Sequence, residues 1–101
     1  MTPEAKVKKK VVNVIKENGA YYFFPATGGY GRSGVPDIVC CYRGAFFAIE
    51  CKAGNNKPTA LQEAEMQKIR EAQGLVLVVN EDNIADVQTL IDRINKGISN
   101  E

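Results

Sequence analysis

Hydrophobic residues recur along the chain with two different periods, one typical of helices and one of strands. Val7, Val11, Val14 and Ile15 follow helical spacing and predict a first helix over about residues 3–18. The remaining predicted elements, in chain order, are strands over about residues 20–25, 36–42 and 45–52, a helix from Thr59 to about Gln73, a strand over 75–79 and a helix over about 83–96. This order, αβββαβα, predicts a fold of the α/β class.

The second helix and the last strand carry the sharpest local signals. Thr59 and Gln62 fit a capping box, in which each side chain accepts a hydrogen bond from the backbone N–H of the other residue. The positions that we expect this helix to bury are Leu61, Ala64, Ile69 and Ala72. Leu75 to Val79 are apolar at every position, which predicts a strand that is covered on both faces.

Length and composition describe an ordinary globular chain. The chain has 101 residues, 45% of them hydrophobic and 25% charged, so we expect residues 1–101 to form a single domain. The longest apolar run, residues 75–79, is far too short to span a membrane, and no secretory signal opens the chain. We therefore expect no membrane partner and a cytoplasmic location, in a bacterial or virus-infected host cell.

The residue types that are missing exclude several kinds of chemistry. Histidine is absent, and the three cysteines, Cys40, Cys41 and Cys51, have no CxxC spacing. Zinc fingers, zinc deaminases, catalytic triads and Cys–His nucleophiles are therefore excluded. The cysteines all fall in β-rich runs, and we expect them to be reduced and partly buried.

Net charge is only +1, but the charges are unevenly distributed. Residues 1–52 carry eight Lys or Arg against four Asp or Glu, and residues 53–101 carry five against eight. The basic half includes Lys6, Lys9 and Lys10, on the polar side of the first predicted helix. These three lysines are candidate DNA contacts, although a lysine-rich helix face is more often simply solvated.

The segment from Pro36 to Lys52 holds the residues with the clearest chemical potential. Its two β-rich runs are separated by Arg43-Gly44, which predicts an antiparallel hairpin. Glu50 and Lys52 are two residues apart and project from the same face of the second strand. Asp37 begins the first strand, opposite the end of the second, so the hairpin brings these three side chains together.

The glycine-rich segment of residues 26–34 allows two interpretations. Gly29, Gly31 and Gly34 form a literal GxGxxG, which raises the alternative of a small nucleotide-binding α/β protein. That motif has to open a helix, whereas Pro36 disfavours helix and a β-rich run follows it. A loop that carries Tyr30 and Arg32 beside an acidic site is better suited to contacting a phosphate backbone.

The pattern Gly34-Val35-Pro36-Asp37 followed by Glu50-Cys51-Lys52 resembles the PD-(D/E)xK nuclease signature. With Gln62 downstream, the sequence of these motifs is most similar to that of the virus-type replication-repair nuclease (VRR-NUC) family. The resemblance implies a restriction-endonuclease-like αβββαβ core, with a mixed sheet flanked by helices, and an added C-terminal helix. It also implies a homodimeric, structure-selective endonuclease that acts on branched DNA such as Holliday junctions.

The resemblance assigns roles to individual residues. Asp37, Glu50 and the backbone carbonyl of Cys51 would bind Mg²⁺ or Mn²⁺, since Mg²⁺ prefers a few hard oxygen ligands and retains water. Lys52 would hold the attacking water and offset negative charge in the transition state. Family members also place an acidic residue of the first helix near the metal, here Glu4, and a glutamine near the active centre, here Gln62.

Each of these residues also has a structural explanation. Glu4 suits the positive end of a helix dipole, Gln62 completes the capping box, and Glu50 with Lys52 would make a surface salt bridge. We expect Lys52 to be exposed at the sheet edge, so its replacement by alanine should abolish cutting while sparing the fold. The main functional alternative is a non-catalytic DNA-binding or interaction module of the same fold. Tyr21 and Phe23 are candidates for a dimer interface, although aromatic residues more often pack in a core.

Overall fold

The computed structural model describes residues 1–26 and 31–97 and confirms the predicted order of elements. The elements are α1 (Pro3–Glu17), β1 (Tyr21–Phe23), β2 (Ile38–Tyr42), β3 (Ala45–Cys51), α2 (Ala60–Glu71), β4 (Leu75–Val79) and α3 (Ala85–Asn95). The predicted cap of α2 is present, and α1 is capped as well. The Thr2 side chain accepts a hydrogen bond from the backbone of Ala5, and Thr59 forms the capping box with Gln62.

The four strands form one mixed sheet in the order β1-β2-β3-β4. β1 pairs antiparallel with β2, β2 antiparallel with β3, and β3 parallel with β4. Arg43 and Gly44 join β2 to β3 with φ values of 50° and 84°, the left-handed conformation that tight hairpin turns require. The parallel pair needs a crossover, and α2 supplies it. The sheet is therefore mixed and flanked by helices, as expected.

One face of the sheet carries most of the hydrophobic core. α1 contributes Val7, Val11 and Ile15, which are completely or almost completely buried. The core residues that meet them are Ile38, Cys40, Phe47, Ile49, Cys51, Val79, Val87, Leu90 and Ile91. Alternate residues of β3 (Phe47, Ile49 and Cys51) belong to this core, so Glu50 projects from the opposite face of the sheet.

The buried side of α2 differs from the prediction. Leu61 is 62% exposed, Ala64 and Ala72 are also exposed, and only Ile69 of the expected stripe is half-buried. The side that faces the protein consists of Gln62, Glu65, Met66 and Ile69. These positions follow i, i+3, i+4, i+7 spacing, so the helical period was correct and its phase was wrong. Two of the four are polar, and hydrophobic spacing alone therefore indicated a different side of the helix.

The expectation that β4 is covered on both faces is confirmed only in part: α2 and α3 both contact the strand, but the cover is incomplete. Leu75 to Val78 are half-buried, and within β4 only Val79 is buried. β4 is the last strand of the sheet, so one of its edges has no neighbouring strand to shield it. An uninterrupted apolar run does not distinguish a central strand from an edge strand that has helices nearby.

The polypeptide that follows the glycine-rich segment does not form a helix. Gly34 is followed by residues 35–37, without regular structure, and then by β2 at Ile38. A dinucleotide-binding loop has to lead into a helix whose N-terminus receives the pyrophosphate, so the nucleotide-binding alternative loses its structural basis. Among the helices of residues 1–26 and 31–97, none has both the length and the apolar character needed to cross a bilayer.

Candidate active site

Asp37 is hydrogen-bonded to the segment that contains Glu50 and Lys52. Ile38 pairs with Ile49 in the antiparallel register of β2 and β3, which places Asp37 beside Glu50. The backbone N–H of Cys51 donates a hydrogen bond to Oδ2 of Asp37, at 2.9 Å. The two halves of the motif, 14 residues apart in sequence, are therefore joined directly.

Glu50 is the buried charged residue among residues 1–26 and 31–97, on the face of the sheet opposite the main core. Only 2% of its surface is exposed, and its Oε2 lies 3.5 Å from the Nζ of Lys52. Its other oxygen, Oε1, is buried and has no hydrogen-bond partner within residues 1–26 and 31–97. A buried carboxylate oxygen without a partner is unfavourable, because it has lost its hydration and gained no replacement contact.

The protonation of Glu50 reflects this environment. The pKa of the Glu50 carboxyl is raised from 4.5 to about 7. Burial is the largest cause, and the negative charge of Asp37 is the second. Lys52 acts in the opposite direction, through both its charge and its hydrogen bond. The lysine does not fully offset the loss of hydration, so the site favours additional positive charge.

Lys52 is not the exposed residue that we expected. Its side chain is 12% exposed, because it follows an interior strand and turns inward toward Glu50. Its backbone N–H donates to the carbonyl of Val79 in β4, which extends the parallel pairing by one residue. The Glu50–Lys52 pair is therefore a largely buried ion pair, and removing one partner leaves the other uncompensated.

Cys51 contributes its backbone to the site and its side chain to the core. Its thiol is buried among the core residues, on the face of β3 opposite Glu50, as the alternation along the strand predicts. Burial raises the pKa of this thiol to about 12, so it stays protonated. All three cysteines are free; Cys40 is buried as well, whereas Cys41 is exposed.

Glu4 lies in the first turn of α1 and is exposed. Its charge raises the pKa of Glu50 and that of the Cys51 thiol, which places Glu4 at the same end of the sheet as the motif. The described part of the chain nevertheless holds no group of three or more His, Cys, Asp or Glu side chains arranged to bind a metal ion. Glu4 therefore does not complete a three-carboxylate cluster with Asp37 and Glu50, and its metal role stays a prediction.

Gln62 performs the structural role that its sequence position predicted. Its Oε1 accepts a hydrogen bond from the backbone N–H of Thr59 at 2.8 Å, and its own N–H donates to Oγ1 of Thr59 at 3.2 Å. Gly34 packs against this helix end, since a Cβ on Gly34 would lie 2.6 Å from the carbonyl of Leu61. Gly34 is three residues before Asp37, so this contact holds the first turn of α2 near the acidic motif.

The candidate DNA contacts are scattered around the site. Arg32 pairs with Glu65 of α2 at 3.0 Å and stays 68% exposed, and Tyr30 lies outside the described residues. Lys6 and Lys10 line a groove with Glu81, and Lys9 is exposed beside them. None of these lysines shares the side of α1 from which Glu4 projects.

One lysine that the sequence analysis did not single out lies closer to the motif. Lys8 is half-buried, and its Nζ lies 4.2 Å from the centre of the Phe24 ring. Its charge lowers the pKa of the Cys51 thiol, so its field reaches the motif. The spacing from Glu4 to Lys8, four residues along a helix, was the sequence signal that could have identified it.

Comparisons with known proteins agree with this architecture. A solved VRR-NUC domain has the same fold, with a TM-score of 0.72 and 27% identity, over 91% of this chain and 97% of that domain. The chain is 30% identical over 87 residues to the "Putative nuclease p44" of Acyrthosiphon pisum secondary endosymbiont phage 1, which covers 83% of this chain and 89% of that protein.

The fold and the site together define a nuclease domain of the restriction-endonuclease-like, VRR-NUC type. The family model of the archaeal Holliday junction resolvase (Hjc) matches residues 4–76, which include α1, the acidic motif, α2 and the start of β4. The chain therefore belongs to the archaeal Holliday junction resolvase family of nucleases. The resemblance inferred from GVPD and ECK is confirmed.

Proposed function

We propose that this protein is a divalent-metal-dependent, structure-selective DNA endonuclease that hydrolyses phosphodiester bonds in branched DNA such as Holliday junctions. The observation that carries the proposal is the state of Glu50. A carboxylate that is 2% exposed, with one oxygen unpartnered and a second carboxylate beside it, is costly to a fold unless a cation compensates it. The nuclease family supports the same conclusion.

The residues present fit a hard divalent ion such as Mg²⁺ or Mn²⁺. Asp37 and Glu50 would hold it through carboxylate oxygens and Cys51 through its backbone carbonyl, with Glu4 as a further candidate. The unpartnered Oε1 of Glu50 is an available oxygen of this kind. Bound there, the ion would lower the pKa of water and neutralise charge that develops on the phosphate.

The protein's own groups would perform the other steps. The Lys52 ammonium, held 3.5 Å from Glu50, would orient the attacking water and offset negative charge in the transition state. As an ammonium beside Glu50, it would act electrostatically and not as a full general base. Gln62 would also take part in catalysis. It would do so from the start of α2 beside Gly34, where hydrogen bonds with Thr59 fix its backbone and side chain.

DNA would be held by cations around this site. We propose phosphate contacts for Arg32, for Tyr30 and for the α1 lysines Lys6, Lys9 and Lys10. Arg32 is 68% exposed, so it can turn from Glu65 toward a phosphate without opening the core. We propose that the protein acts in the cytoplasm of a bacterial or virus-infected host cell, where its DNA substrate would lie.

A homodimer would place two active sites on the two strands that a resolvase has to cut. Support comes from an aromatic row on the face of the sheet opposite the main core. Tyr21 pairs with Cys41 between β1 and β2, and Cys41 pairs with Phe46 between β2 and β3, so their side chains share one face. Tyr21 is 68% exposed and Phe46 is 44% exposed. Phe23, 47% exposed, extends this apolar surface beside Tyr21. A second copy would cover it, and the molecular mass in solution tests this.

The deciding experiment is a cleavage assay on labelled four-way junction, flap, single-stranded and duplex DNA, with Mg²⁺, Mn²⁺ or EDTA. Asp37→Asn removes a charge and keeps an oxygen to accept the Cys51 hydrogen bond. Asp82→Asn, in the exposed turn before α3, is the matched control. We expect metal-dependent junction cutting that Asp37→Asn loses and Asp82→Asn keeps. Binding without cutting by the wild type would instead identify a non-catalytic DNA-binding module.

A further inference from the structure

The lysines of α1 fall on different sides of the helix. Successive residues turn by about 100°, so Lys8 projects about 200° away from Lys6. Lys6 and Lys10 face the groove beside Glu81. Lys8 shares its side with Glu4, four residues earlier, and it is half-buried whereas Lys6, Lys9 and Lys10 are exposed.

The contacts of Lys8 are unusual for a half-buried cation. Its ammonium lies 4.2 Å from the centre of the Phe24 ring, within the range of a cation–π interaction. Over residues 1–26 and 31–97, no carboxylate forms an ion pair with it. Phe24 is 49% exposed, so the pair lies at the protein surface.

The Lys8–Phe24 pair lies at the end of the sheet that carries the acidic motif. Phe24 directly follows Phe23, which pairs with Val39, two residues after Asp37. Asp37 in turn accepts a hydrogen bond from the backbone N–H of Cys51, so the end of β3 lies at the same end of the sheet. Lys8 therefore lies beside the acidic site, on the side from which α1 approaches it.

The charge balance of the site indicates what Lys8 would bind. Asp37, Glu50 and Glu4 all repel a DNA phosphate, whereas two nearby cations already have carboxylate partners. Lys52 lies 3.5 Å from Glu50, and Arg32 lies 3.0 Å from Glu65. Among the described residues, the ammonium of Lys8 is paired only with the Phe24 ring, which attracts it weakly and leaves its outer side able to bind an anion.

We propose that Lys8, positioned by the ring of Phe24, binds a DNA phosphate adjacent to the scissile one. The inference rests on the proposed nuclease function and adds to it a substrate contact on the α1 side of the site. Phe24 is a positioning residue in this arrangement, because its ring limits the freedom of a long side chain before DNA arrives. The phosphate replaces the carboxylate partner that the lysine lacks.

Four variants test this contact: Lys8→Ala, Lys8→Arg, Phe24→Leu and the control Lys16→Ala. Lys16 lies in the last turn of α1, so its loss removes the same charge from the same helix far from the motif. The dissociation constant for a labelled four-way junction is measured in EDTA over a range of NaCl concentrations. KM and kcat are measured separately with Mg²⁺, and thermal unfolding verifies that each variant is folded.

We expect Lys8→Ala to weaken junction binding and raise KM roughly tenfold, as for one lost charged contact. It should also reduce the slope of log affinity against log salt by about 0.9, the loss of one phosphate contact. Lys8→Arg should restore that slope. Phe24→Leu should weaken binding about twofold without changing the slope, since the charge remains but the ring is lost.

A Lys8→Ala protein that matches Lys16→Ala in affinity, KM and salt slope would overturn the phosphate contact. Binding in EDTA does not depend on cutting, so this result is readable even for an inactive protein. If the wild type cuts the junction and Lys8→Ala cuts it with the same KM, only the Lys8 inference fails. If the wild type neither binds nor cuts DNA, the nuclease proposal and the Lys8 inference both fail.

Discussion

The side chain of Asp37 accepts a hydrogen bond from the backbone N–H of Cys51, over 2.9 Å. This bond joins the start of β2 to the end of β3 and fixes the distance between the carboxylates of Asp37 and Glu50. Because the donor is a backbone group, the position of Asp37 depends on the sheet and not on a flexible partner. The two carboxylates are thus preorganised at the cost of repulsion, and burial together with the charge of Asp37 raises the pKa of Glu50.

Glu50→Gln should make the metal-free protein more stable while abolishing cutting. Glutamine keeps the shape of the side chain and removes a buried charge, although Lys52 loses its counter-charge. Folding raises the pKa of Glu50 even with Lys52 beside it, so the ionised form is disfavoured in the folded state. We therefore expect a net gain of about 1 kcal/mol in the free energy of unfolding at pH 8 in EDTA, measured with urea. Glu63→Gln, on the exposed side of α2, is the control and should change neither property. A large loss of stability in Glu50→Gln would contradict the account of Glu50 as an uncompensated charge.

The gain from Glu50→Gln should depend on pH in a defined direction. Glu50 has its pKa raised from 4.5 to about 7 on folding, so the folded protein holds this proton more tightly than the unfolded chain. The stability from that proton is complete below pH 4.5 and is lost as the pH rises through 7. The difference between wild type and Glu50→Gln should therefore be small at pH 4.5 and largest above pH 7. Urea unfolding across this pH range measures it.

Mg²⁺ should stabilise the wild type through the same carboxylate. An ion that binds only the folded state adds about 1.4 kcal/mol when its concentration is ten times the dissociation constant. We expect the thermal midpoint to rise with Mg²⁺ in the wild type and not in Glu50→Gln. Ca²⁺ should produce a similar rise without cutting, which separates ion binding from catalysis. An equal shift in both proteins would indicate binding elsewhere.

Lys52→Ala should abolish cutting and also destabilise the fold. With its side chain only 12% exposed, Lys52 is the counter-charge of a buried carboxylate, so its loss should cost about 2 kcal/mol in EDTA. The double variant Lys52→Ala, Glu50→Gln should recover much of that cost, because the uncompensated charge is gone. Lys57→Ala, in the exposed loop before α2, is the control. Strictly additive stability changes would show that the two side chains do not form a pair.

Gly34→Ala and Gly44→Ala should differ even though both glycines have similar backbone angles. Their φ values are 82° and 84°, so an alanine is strained to a similar extent at either site, by about 1 kcal/mol. At Gly44 a Cβ meets nothing within 4 Å, whereas at Gly34 it would lie 2.6 Å from the Leu61 backbone. Gly34→Ala should thus cost about 2 kcal/mol more and reduce cutting, since α2 must move away from Asp37. Equal effects on urea unfolding would contradict a close contact at Gly34.

Local patterns in the sequence determined much of this structure. Alternation along β2 and β3, the Arg43-Gly44 turn and the Thr59–Gln62 capping box each depend on residues that are neighbours in the chain. The order of elements follows from such patterns, and so does the convergence of Asp37, Glu50 and Lys52, because a short hairpin allows few registers. The family could be inferred from the same short segment.

Tertiary structure decided which of these residues are buried and what they contact. Lys52 is largely buried because it follows an interior strand, Met66 rather than Leu61 is buried, and Lys8 meets Phe24 across 16 positions of sequence. Burial and pairing depend on elements that are distant in the chain. Hydrophobic periodicity does not indicate which of these elements will cover a given face. The sequence could therefore identify the acidic motif, while only the folded chain showed that Lys8 contacts Phe24.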